Sequence, residues 1–136
     1  MIGWVGDELS LLQPHLFADA DFAGCVETLR STSDVHLAIR GLNTCFPISG
    51  QSKRQTCVSH STPEAEIVAA DFALRLDGLP CLDLWHMLLP HKPGLIVHED
   101  NQAMMTVVII NDLLQKHSKD VNHCHYEHIL ICECYL

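Results

Sequence analysis

The stretch His15-Leu16-Phe17-Ala18-Asp19-Ala20-Asp21-Phe22-Ala23-Gly24 decides how this chain is read. From His15 to Asp21 the residues alternate, Leu16 and Ala18 on one side and Phe17 and Asp19 on the other, as a half-buried β-strand requires. The strand ends in acids, and Gly24 permits the turn that follows. Two further acidic elements lie downstream: Ser61-Thr62-Pro63-Glu64-Ala65-Glu66, opening a helix, and Glu99-Asp100-Asn101-Gln102, closing a strand. Acids at strand ends and at a helix start, far apart in sequence, can converge on one spot in an α/β fold. Carboxylates brought together repel one another unless cations sit between them. The pattern therefore points to a Mg2+ site and phosphodiester chemistry.

Working outward, Val35–Ile39 reads as a second strand, Gly41-Leu42-Asn43 as a turn and Cys45–Ser49 as a third strand, an antiparallel hairpin. A polar stretch, Gly50–Ser61, leads to a helix that Thr62 can cap, with Pro63 in its first turn and Glu64 and Glu66 at its positive end. Ala69, Ala70, Ala73 and Asp77 follow Glu66 at helical spacing, a small-residue face able to approach a sheet closely. Glu64 lies ~200° around the helix from Glu66, so one of the two faces a site while the other stays in solvent. Gly78-Leu79-Pro80 is expected to end this helix, and Cys81–Leu89 to form a short second one. Leu95–Asp100 is the clearest strand, and Asn101–Leu114 reads as helical despite its β-branched run. The fold class is α/β of the mixed α+β kind: an antiparallel three-strand meander plus a parallel strand, flanked by helices. The organisation expected is a linker or tail at 1–14, the domain at 15–114, and a divergent or truncated C-terminal segment at 115–136.

Composition narrows the function classes. With 48% hydrophobic residues the chain can bury a real core. Its net charge of −9 argues against a general nucleic-acid binder, which is usually basic. A nuclease whose bound cations offset the deficit locally remains compatible. No apolar run approaches the ~20 residues of a membrane helix, and the N-terminus lacks a basic start followed by an apolar stretch. The expectation is an intracellular protein, cytoplasmic or nuclear. Seven cysteines without a secretory signal do not suggest a disulfide framework. In the tail, His123, Cys124, His125, His128, Cys132 and Cys134 are Zn2+-type ligands, though their spacing matches no closed four-ligand pattern.

Five motifs occur in order: Asp19-Ala20-Asp21-Phe22-Ala23-Gly24-Cys25, Arg30-Ser31-Thr32-Ser33, Gln51-Ser52-Lys53-Arg54-Gln55, Ser61-Thr62-Pro63-Glu64-Ala65-Glu66 and Asp100-Asn101-Gln102-Ala103. Together they resemble the ribonuclease H domain of copia-type retrotransposon polyproteins, which follows the reverse transcriptase, over roughly Leu16 to Met105. The resemblance implies a ribonuclease H-like fold and cleavage of the RNA strand of RNA–DNA hybrids. It places the catalytic, metal-binding acids at Asp19, Glu66 and Asp100. It also implies two-metal hydrolysis with Mg2+, or Mn2+ in its place, the ions ~3.5–4 Å apart. Arg30, Lys53, Arg54, Asn101 and Gln102 are then the expected nucleic-acid contacts, and an upstream reverse transcriptase domain the expected partner. Asp21, Glu64 and Glu99 keep ordinary structural readings.

The sequence departs from the family at Asp34, where a Gly usually stands, and at Asn122, where an Asp is expected. The family's fourth acid has no counterpart before Leu136. Two alternatives follow: a catalytically inactive remnant of the same fold, and a small zinc-binding module using the tail.

Overall fold

The alternation in β1 (Gln13–Asp21) is visible as burial: Pro14, Leu16, Ala18 and Ala20 are buried, while the residues between them are partly or fully exposed. The computed structural model describes residues 5–89, 91–106 and 129–133, the last as backbone. β1 pairs antiparallel with β2 (Thr32–Arg40), and β2 with β3 (Cys45–Arg54). Helix α1 (Thr62–Ala73) and helix α2 (Leu79–Leu88) then cross over to β4 (Leu95–Glu99), which lies parallel to β1. A further strand, β5 (Ile129–Glu133), adds parallel to β4. The sheet order is β3-β2-β1-β4-β5. The sheet is mixed, a three-strand antiparallel meander joined to parallel strands and flanked by helices.

Several elements differ from the sequence expectation, each for a physical reason. β3 does not stop at Ser49 but runs to Arg54, because the ladder to β2 continues through Thr32↔Arg54. Its second half is exposed and polar, as an edge strand tolerates, so no hydrophobic pattern announces it. The cap of α1 is Ser61 rather than Thr62: the Ser61 hydroxyl accepts the Glu64 N–H at 3.4 Å, and the Glu64 carboxylate accepts the His60 N–H at 2.7 Å. Gly78-Leu79-Pro80 does not end the helix. A π-turn at Leu74–Gly78, closed by the Leu79 N–H on the Leu74 carbonyl, carries the chain into α2 with Pro80 in its first turn. The wider turn removes the clash that a proline makes with a regular preceding turn. The helix expected over Asn101–Leu114 is described at 102–106, and its remainder lies outside the described residues. β5 falls within the 115–136 segment, for which sequence offered no element.

The core lies between the sheet and the helices, built from Leu16, Val35, Leu37, Leu82, Leu95, Val97 and Met104, with Trp85 and Phe72 packed at its margin. The opposite face of β1 and its neighbours carries rings: Phe17 stacks on His98 at 4.2 Å between centroids, and a His15 Nδ1–His98 Nε2 hydrogen bond of 2.7 Å joins β1 to β4. Burial first, then the charges of His98 and Arg40, hold the His15 imidazole down at about 4, so it is neutral at pH 7.

Gly78 packs directly against leucines of the sheet. A Cβ there would stand 3.0 Å from both Leu16 Cδ2 and Leu95 Cδ2, and both leucines are fully buried. Gly78→Val is therefore expected to lower stability by about 1–3 kcal/mol through overpacking. Gly78→Ala should cost less, because alanine recovers ~1 kcal/mol of helix propensity. Urea unfolding of the two variants beside the parent checks the ranking.

Candidate metal centre

Three elements deliver the acids. Asp19 sits near the end of β1, Glu66 in the first half of α1, and Asp100 immediately after β4. The parallel alignment of β1 and β4 puts the ends of these strands side by side, with Phe17 opposite His98. Helix α1 reaches the same spot because its inner face is Ala65, Ala69, Ala70 and Ala73, all buried. These small residues let the helix lie close to the sheet, with Ala65 and Ala69 packed on Ala20.

The position of α1 is also fixed by hydrogen bonds. Gln55 is buried after β3, and its side-chain amide donates to Ser33 Oγ at 3.0 Å and to the Ala65 carbonyl at 2.9 Å. Its Oε1 accepts from Ser59 Oγ at 3.3 Å, and its backbone N–H donates to the Ser31 carbonyl at 2.8 Å. Ser31 Oγ in turn accepts the Ala23 N–H at 3.1 Å, tying down the loop after β1. One glutamine thus ties β2, the end of β3 and the first turn of α1 together, one residue from Glu66. Each of these buried bonds is worth about 1 kcal/mol net, and leaving a partner unpaired costs more.

Asp19, Glu66 and Asp100 each offer a carboxylate oxygen within 4.8 Å of the others. Asp19 and Asp100 are exposed, and Glu66 is 4% exposed. Burial, followed by the Glu99, Asp19 and Asp100 charges, pushes the Glu66 carboxyl up to about 7; the Ala20 backbone N–H works against this. Its Oε2 is buried without a hydrogen-bond partner among the described residues. Hard oxygen donors, several of them anionic and at least one unsatisfied, form a donor set that fits a hard divalent cation.

The other candidate residues fall as follows. Glu64 belongs to the cap and faces solvent. Asp21 is exposed, and its carboxylate occupies the space beside Gly24 that a Cβ there would enter. Arg30, Lys53 and Arg54 are exposed near the β2–β3 end of the sheet, with Lys53 Nζ 5.2 Å from the Phe72 ring centroid. Asn101 caps the helix at 102–106, its Oδ1 accepting the Met104 N–H at 2.9 Å, and Gln102 is exposed on that helix's first turn. Asp34 pairs directly with Asp19 across β1 and β2, adding another acid beside the cluster. The His and Cys side chains of the tail lie outside the described residues.

Glu99, read from the sequence as an ordinary structural acid, is buried in the fold. It is 2% exposed, its Oε1 accepts the Asn101 N–H at 3.0 Å, and its Oε2 is buried without a partner among the described residues. Burial raises its pKa, the Asn101 N–H opposes this, and the Asp100 and Asp19 charges add to the rise. The signal was in the alternation of β4: Leu95, Val97 and Glu99 share the buried face. A strand-end acid in phase with the core residues should have been read as buried.

No protein-family model matches the chain, and no curated protein matches it. Among solved structures, a foamy viral protease-reverse transcriptase determined in complex with dsDNA is similar at a TM-score of 0.48 and 11% identity, over 92% of this chain and 81% of that one. Among the described residues, no helix is long and apolar enough to cross a membrane.

The raised Glu66 pKa fixes a pH dependence of stability. A carboxyl at 4.5 in the unfolded chain and about 7 in the fold contributes stability that is complete below 4.5 and lost as pH rises through 7. At ~1.4 kcal/mol per unit the loss is on the order of 3 kcal/mol. In EDTA Glu66→Gln should therefore gain stability over the parent as pH rises from 5 to 8, while the lowered His15 and His98 pKa values act in the opposite direction in both proteins. Thermal melts across this range measure both.

Proposed function

We propose that this chain is a retroelement-derived ribonuclease H-like domain of the copia type that hydrolyses the RNA strand of RNA–DNA hybrids by metal-dependent, two-metal phosphodiester cleavage. The observation that carries the reading is the convergence of Asp19, Glu66 and Asp100, with carboxylate oxygens within 4.8 Å of one another, at the ends of the parallel β1 and β4. The five ordered motifs supply the family and the substrate class. In this reading Asp19, Glu66 and Asp100 hold Mg2+, or Mn2+ in its place. When bound, such ions lower the pKa of a water and stabilise charge on the attacking and leaving oxygens.

The chain's own residues do the rest. Asp19 and Asp100, on the open side, hold their carboxylates where a phosphodiester can approach. Glu66 forms the buried wall, its orientation set through the Gln55 network one residue away. Arg30, Lys53 and Arg54 provide the exposed positive charge that contacts hybrid phosphates, offsetting part of the net charge of −9. Discrimination for the RNA strand rests on its 2′-hydroxyls and on duplex shape. An upstream reverse transcriptase domain in the same polyprotein fits this role.

Cleavage of an end-labelled RNA–DNA hybrid in Mg2+ or Mn2+ tests the reading. The parent chain should cut the RNA strand, with no cutting in EDTA. Asp19→Asn and Asp100→Asn should each reduce the rate by more than about a hundredfold, beyond the 10–100-fold typical of losing a merely supporting group. A folded parent that leaves the hybrid intact in both metals would favour the inactive remnant instead.

A further inference from the structure

We propose that His15 and His98 form, with Cys132 of β5, a binding site for Zn2+ or a similar borderline cation on the sheet face opposite the helices. The site shares no ligand with the Asp19, Glu66 and Asp100 cluster, and it does not depend on the cleavage reading. It draws two imidazoles and a thiolate, the ligand types Zn2+ prefers, from the adjacent strands β1, β4 and β5.

The geometry starts from the contact between the two imidazoles. His15 Nδ1 and His98 Nε2 meet at 2.7 Å, with the ring planes 19° from parallel. In a neutral pair one of these nitrogens carries the proton and the other accepts it. Moving that proton to the far nitrogen of its own ring leaves two lone pairs aimed at one point. A tetrahedral Zn2+ ion at ~2.0–2.1 Å from each nitrogen needs the rings to separate by only about 0.6 Å. Phe17 stacks on His98 with 4.2 Å between centroids and 5° between planes, which holds the His98 ring in orientation. Both histidines are half-buried, so a cation reaches them from solvent. His15 is already neutral at pH 7, the form that ligates a metal.

The third ligand comes from the ladder. β5 runs parallel to β4, and Cys132 stands directly opposite His98 in that register. Neighbouring strands lie ~4.8 Å apart, and Phe17 pairs with His98 from the other side. The next position in this row is therefore a cysteine. Arg40 lies on the same face, 5.8 Å from the Phe17 ring centroid, and its charge disfavours a cation held by neutral imidazoles alone. A thiolate offsets that charge, and water can take the fourth position. The His- and Cys-rich tail, whose own spacing closes no four-ligand set, thus finds its partners on β1 and β4. Bound in this way, the ion clamps the edge strand β5 to the middle of the sheet.

Calorimetric titration of the whole chain with Zn2+, in excess Mg2+, tests this without any turnover. His98→Phe and Cys132→Ser should each weaken the tightest Zn2+ step by about tenfold or more. Asp100→Asn and Cys124→Ser should leave that step as in the parent. With Co2+ as the probe, the parent should show the near-ultraviolet band of a thiolate-bound ion, and Cys132→Ser should lose it. Melts in EDTA verify that each variant folds. A further measurement needs no variant: Zn2+ should block alkylation of Cys132 by iodoacetamide and leave that of the exposed Cys57 unchanged, read by mass spectrometry. Where a variant does not fold, this protection decides. A tightest step that persists in His98→Phe, or protection confined to other cysteines, overturns the proposal. A step lost in Asp100→Asn but kept in His98→Phe assigns the ion to the acidic cluster and overturns it too, as does a folded parent that binds no Zn2+.

Discussion

The close approach of α1 to the sheet governs everything else in this molecule. Ala65, Ala69, Ala70 and Ala73 replace the large side chains that usually separate a helix from a sheet, and all are buried. Burying alanine releases little hydrophobic free energy, since the gain follows the apolar area removed from water. The larger burial comes from Leu16, Leu37, Leu95 and Val97 on the sheet and from Leu82 and Met104 on the helices packed against it. The alanine face therefore sets position more than stability. It allows an acid on the first half of the helix to reach the ends of β1 and β4, and bulkier residues at Ala65 or Ala69 would lift Glu66 away from Asp19 and Asp100.

Position gained in this way has an electrostatic cost, since Glu66 and Glu99 are both buried among acids. That cost raises both carboxyl pKa values, which favours the neutral forms. Gln55 opposes it by another route. Its amide and backbone bind β2, the loop after β3 and α1 in one neutral network, so the helix cannot swing outward to relieve the repulsion. Arg30-Ser31-Thr32-Ser33 and Gln51-Ser52-Lys53-Arg54-Gln55 thus contribute in two different ways. Ser31, Ser33 and Gln55 are buried and hold the scaffold, while Arg30, Lys53 and Arg54 are exposed.

Where the chemistry of a residue and its pattern agreed, the sequence was legible. β1, β2 and β4 followed their alternation, and Glu66 followed the small-residue face that carries it to the site. The errors share one cause: tertiary contacts gave a local pattern a different meaning. The second half of β3 is polar because one side of an edge strand has no neighbour, so it read as a loop. Gly78 and Pro80 read as a stop, yet Gly78 is small so that Leu16 and Leu95 can pack beneath it, and the π-turn accommodates Pro80. Glu99 read as an ordinary strand-end acid, and its burial follows from its lying in phase with the buried face of β4. The pairing of β5 with β4 could not be read from a segment dominated by histidine and cysteine.

The four acids divide by solvent rather than by sequence. Asp19 and Asp100 are open to water, and Glu66 and Glu99 are closed off from it. That asymmetry matters for the cation such a site would hold. Mg2+ gives up its waters reluctantly and usually keeps several, so a cage of buried ligands alone would suit it poorly. On the open side waters or phosphate oxygens can complete the coordination, while on the closed side protein oxygens must do so. The lower effective dielectric of the closed side also strengthens attraction between carboxylates and a cation, just as it strengthens their mutual repulsion without one. The same burial that disfavours the charged forms of Glu66 and Glu99 would therefore strengthen the attraction of a cation to the Asp19, Glu66 and Asp100 cluster.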